Sequence, residues 1–69
     1  MITLAGLLQV IKSTKVITVN LFNEEGLLLI SFGLPGYSAL EDTLENAEVL
    51  EVEIINLVTL NIKINTSNN

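Results

Sequence analysis

The sequence predicts a small α+β domain in the order helix, hairpin, helix, hairpin, an αββαββ chain whose four-stranded, mostly antiparallel sheet carries both helices on one face. Three observations predict it. Apolar residues near the start recur at helical spacing, two pairs of β-rich runs are each split by a turn signal, and a short acidic amphipathic stretch lies between the pairs. With 69 residues there is room for one core and no second domain. The folded unit is expected over residues 1–65, with a polar, disordered tail at 66–69.

Leu4, Leu7, Leu8 and Ile11 fall at i, i+3, i+4 and i+7, one buried stripe, and Thr3 supplies an N-cap. Lys12-Ser13-Thr14-Lys15 breaks that rhythm. The next run, 16–22, is β-branched and puts Ile17, Val19 and Leu21 on one face of a strand. Asn23-Glu24-Glu25-Gly26 suits a type I turn with a glycine bulge, returning as a strand over 27–32. If Asn23 pairs with Leu27, Leu21 lies opposite Leu29 and Phe22 opposite Leu28.

Gly33-Leu34-Pro35-Gly36 reads as a connecting loop. Ser38 and Glu41 have the spacing of a capping box, which opens a second helix over 38–46 with Leu40, Leu44 and Ala47 on its apolar face. Beyond it, Leu50, Val52 and Ile54 alternate with Glu51 and Glu53, and Leu60, Ile62 and Ile64 alternate with Asn61 and Lys63. These form a second hairpin near Asn56. Directly opposed residues share a face, so joining the two apolar sets on one side predicts a three- or five-residue turn, and in one such register Glu51 faces Lys63.

Eight acidic residues against three lysines give a net charge of −5 and a pI near 4.2. Lys12, Lys15 and Lys63 are too few to neutralise a phosphate backbone, so direct nucleic-acid binding is not expected and a basic protein is the favoured partner. The chain has no cysteine and no histidine, which removes disulfides, thiolate or imidazole metal sites, and His-based triads and dyads from its inventory. No catalytic, metal or cofactor residue is assigned. Without a basic leader or a long apolar run the sequence reads as cytoplasmic, with no membrane span.

Six of the eight carboxylates lie from Glu41 to Glu53. Their spacing across a helix and a strand lacks the rhythm of a calcium loop, so they read first as a solvated face. Glu41, Asp42, Glu45, Glu48, Glu51 and Glu53, with the lone tyrosine Tyr37 as an aromatic anchor, are the candidate partner-binding residues. The chain is 49% hydrophobic, with mean hydropathy +0.59, more apolar residue than a domain this small encloses. Phe22, Leu27, Leu29 and Phe32 cannot all face one core, and they are the candidate self-interface of a homo-oligomer, a dimer being favoured. A third class, a small enzyme using Tyr37 or Glu51, would need a pocket formed between subunits.

Leu4-Ala5-Gly6-Leu7-Leu8-Gln9-Val10-Ile11 and Val49-Leu50-Glu51-Val52-Glu53-Ile54-Ile55, taken with the hairpin and acidic helix between them, give a pattern that resembles small acidic accessory proteins encoded by phages and prophages of Gram-positive bacteria. The resemblance implies a non-enzymatic inhibitor or modulator that binds a host or defence protein, as anti-CRISPR proteins do. In that case the stretch from Glu41 to Glu53 would occupy a nucleic-acid-binding surface of the target. The alternative is a homo-oligomeric structural or assembly protein.

Overall fold

A computed structural model describes residues 1–11, 16–34 and 40–66. It is a small α+β fold of two helices and a four-stranded mixed sheet, with α1 (Leu4–Ile11), β1 (Thr18–Phe22), β2 (Leu28–Gly33), α2 (Asp42–Glu45), β3 (Glu48–Asn56) and β4 (Thr59–Asn65) in chain order. The strand order is β2-β1-β4-β3. β1 pairs antiparallel with β2 and β3 with β4, but the central pair β1 and β4 is parallel. The sheet is therefore mixed, with two of its three pairings antiparallel as expected and the central one parallel. The crossover from β2 through α2 to β3 is long enough to turn the second hairpin so that its inner strand runs alongside β1.

The core follows from the two inner strands. Val19 and Leu21 from β1 and Leu60, Ile62 and Ile64 from β4 are buried on one sheet face, where Leu4 and Leu8 of α1 join them. Leu7, Ile11, Leu40 and Leu44 pack against this cluster, and Ala47 is buried within it. α1 starts at Thr3, whose Oγ1 accepts from the Gly6 amide at 3.1 Å, satisfying one of the orphan donors of the first turn. The preceding residues run along the start of β3: Leu4 N donates to Ala47 O at 2.9 Å and Val49 N to Ile2 O at 2.8 Å.

The first turn has the expected chemistry. Gly26 N donates to Asn23 O at 3.0 Å, Gly26 takes φ +85°, and Asn23 Oδ1 accepts from the amides of Glu25 and Leu27. Its register differs by one residue. Phe22 pairs with Leu28, but Leu21 pairs with Ile30, because an irregularity between them leaves Leu29 as the extra residue of a bulge. Ile17, expected beside Val19 and Leu21 on the core face, precedes β1 and is exposed.

The second hairpin reaches the predicted facing by a different route. Its loop is two residues, Leu57 and Val58, between the pair Asn56 and Thr59, and parity is restored by a bulge at Ile55. No described non-glycine residue has positive φ, so this turn lacks the twist of the primed two-residue turns and the bulge takes up the mismatch. A second bulge at Leu50 puts Val49, rather than Leu50, opposite Ile64. Val52 and Ile54 do share the core face, yet both are exposed, because β3 is an edge strand and of its residues only Val49 packs against the core cluster.

The second helix is shorter than the 38–46 expected. It covers only Asp42–Glu45, and its N-cap is Glu41, whose side chain makes no capping bond. Ser38, the predicted cap, lies outside the described residues, as do Tyr37, the Lys12 to Lys15 segment and 67–69. Thr66, assigned to the frayed tail, is held: its amide and hydroxyl donate to Glu24 Oε1 at 3.0 and 2.7 Å.

Candidate functional site: the uncovered acidic sheet face

Strand alternation decides what lies opposite the core. Because Val19, Leu21 and Ile62 point towards α1, their neighbours Thr18, Asn20, Phe22, Asn61, Lys63 and Asn65 point to the other face, over which no described helix lies. The pairs Asn20↔Ser31, Glu51↔Lys63, Glu53↔Asn61 and Glu48↔Asn65 bring the edge strands' polar residues to that same face. It is a wet sheet face with one acidic border.

A polar ladder runs across its middle. Ser31 Oγ donates to Asn20 Oδ1 at 2.7 Å, and Asn20 Nδ2 donates to Asn61 Oδ1 at 2.9 Å, linking β2, β1 and β4. Each such bond contributes about 1 kcal/mol net. Further along β4, Lys63 Nζ lies 3.6 Å from Glu51 Oε1 in a solvent-accessible pair. Its worth is a few tenths of a kcal/mol, small because the water that screens it is also the alternative partner of both groups.

Two open hollows lie along β4. One, of about 210 Å³, is lined by Phe22, Gly26, Glu51, Glu53, Asn61 and Lys63, an aromatic ring beside two carboxylates and the one described lysine. The other, of about 600 Å³, lies at the far end of β3, where Asp42 of α2 meets Glu48 and Asn65. Four of the predicted acidic residues are thus grouped, Glu51 with Glu53 and Asp42 with Glu48. Glu41 and Glu45 line neither hollow, Glu41 being exposed and Glu45 half-buried.

The predicted self-interface is divided. Phe22 is half-buried on the uncovered face, while Phe32, opposite Val19, is half-buried against the core. Leu27 and Leu29 are exposed at the hairpin end. Two side-chain contacts escape sequence reading, the Ser31–Asn20–Asn61 ladder and the Glu24–Thr66 clasp. Polar alternation announced the first, but the parallel register needed to join Asn20 to Asn61 is a tertiary fact.

Among the described residues no group of three or more acidic side chains is placed to hold a metal ion, and no helix is long and apolar enough to cross a membrane. Comparison with protein-family models, with curated proteins and with solved structures found no match.

Proposed function

We propose that this chain is a non-catalytic protein-binding module that presents its uncovered acidic sheet face to a basic surface on another protein. One observation carries the reading: Glu48, Glu51 and Glu53 come from a single strand onto the helix-free face, where Lys63 is the one described lysine. The strand backbone fixes the spacing of these carboxylates before a partner's Lys and Arg side chains meet them. Phe22 beside them offers apolar area in a hollow otherwise lined with polar groups. The absence of histidine and cysteine from the sequence favours binding over catalysis. The resemblance to phage accessory proteins would make the partner a host or defence protein whose nucleic-acid-binding surface is occupied.

The test is an equilibrium titration with an Arg-rich peptide as the probe, at low and high salt. It compares the wild type with Glu51→Gln/Glu53→Gln and with Glu25→Gln/Glu41→Gln, which remove the same charge elsewhere. Two lost surface charge contacts of up to about 1 kcal/mol each weaken binding by up to about thirtyfold in the first variant. The second variant is expected to bind nearly as the wild type does. Equal losses in both would reduce the effect to bulk charge, and salt-independent binding would reject an electrostatic face altogether.

A further inference from the structure

The sheet has a second feature that its acidic face does not use. β2 ends the sheet, so one of its backbone edges meets no described strand. Leu34 N donates to Ile17 O at 2.9 Å, and bonded pairs alternate along an antiparallel ladder. In the register from Thr18↔Gly33 to Leu21↔Ile30, Phe32 and Ile30 therefore bond towards β1. The N–H and C=O groups of Ser31 and Gly33 point outward.

The side chains beside that edge are apolar. Leu28, on the uncovered face, is 58% exposed, and Ile30, on the helix face, is 40% exposed, with Leu27 and Leu29 open at the hairpin end. No charged residue occurs from Gly26 to Leu40. A strand edge without charge or proline, and without cover among the described residues, is a template for pairing with another strand.

We propose that this edge is a self-assembly interface, in which β2 pairs antiparallel with β2 of a second copy about a two-fold axis near Ser31. The occupant follows from charge. Copies carrying −5 each repel wherever their glutamates approach, and pairing β3 with itself would bring Glu51 and Glu53 against their own kind. β2 is the edge where two copies approach with no charge opposed. A two-fold operation requires a surface complementary to itself, which a neutral strand with apolar side chains on both faces supplies. The axis stands perpendicular to the sheet, so two four-stranded sheets become one, with both helix layers on one side and both acidic faces on the other.

Light scattering on the purified full chain tests this, at low and high salt, together with amide hydrogen exchange. The wild type is expected at twice the chain's 7.5 kDa, persisting in high salt, with slow exchange at Ser31 and Gly33. Leu29→Lys places charge in the interface, and Ser31→Pro removes an outward donor while leaving the backbone bonds to β1, although it also removes the Ser31 side-chain bond to Asn20. Both are expected as monomers with rapid exchange at Gly33 and wild-type circular dichroism. Ile54→Lys, on the other edge, is expected to stay dimeric. A monomeric wild type overturns the proposal, as does a dimer that survives both β2 variants or one that Ile54→Lys dissociates. Should one β2 variant unfold, the other decides.

Discussion

The two hairpins are built alike and finished differently. Each gives one strand to the middle of the sheet and one to an edge, and the inner strands β1 and β4 show the same regular alternation of buried and half-buried residues. The outer strands diverge. β2 is neutral and follows a turn that depends on a glycine with φ +85°. β3 carries three glutamates, is interrupted by bulges at Leu50 and Ile55, and has its first residues covered by the N-terminal segment. Charge and bulges are the usual means of keeping an edge from pairing with another chain. Both edges expose apolar side chains, but one is charged and bulged and the other is neutral, so they suit different partners.

The largest effect should come where the hairpins are inseparable. Ile62 is fully buried, opposite Leu21 on one side and Val52 on the other. Ile62→Ala is expected to cost about 2–5 kcal/mol, read as a lowered urea midpoint by circular dichroism. A single transition is expected. Two separate transitions would show that the hairpins fold independently and would break the comparison at its base.

The turns come next. Gly26→Ala forces a side chain into left-handed backbone and is expected to cost about 1–2 kcal/mol, although open space surrounds the position. Leu57→Ala, at the exposed tip of the other hairpin, should stay within about 0.5 kcal/mol. Equal costs in thermal melts would mean that the turns do not differ as their backbones indicate.

Much of this architecture was legible in the residues, and what was not has identifiable causes. Alternation at Leu60, Ile62 and Ile64 marked a buried face, and the i, i+3, i+4, i+7 stripe marked α1. The bulges at Leu29, Leu50 and Ile55 were not legible, because one extra residue changes side-chain parity without any change in composition. Val52 and Ile54 read as core because alternation reports which face a residue takes, whereas exposure depends on how far a helix reaches. The acidic residues of the candidate face could be listed from the sequence. The grouping of Asp42 with Glu48 and of Glu51 with Glu53 required the strand order.

Smaller effects sharpen the account of the uncovered face. Asn20→Ala removes both bonds of the ladder and is expected to cost about 1–2 kcal/mol at this half-buried position, with Ser31→Ala costing less because it loses one. Lys63→Met should change stability by under about 0.5 kcal/mol, and that change should vanish in high salt. A larger, salt-resistant loss would make the lysine a packing residue and Glu51 a structural partner.

The central claim is that the helix-free acidic face is the surface offered to a basic protein. The most direct measurement is a nuclear magnetic resonance titration of the labelled chain with the Arg-rich peptide, following every assigned amide. The account predicts shifts concentrated at Glu51, Glu53, Asn61 and Lys63 that fade as salt is raised. Shifts concentrated along β2, or spread evenly over the chain, would contradict it.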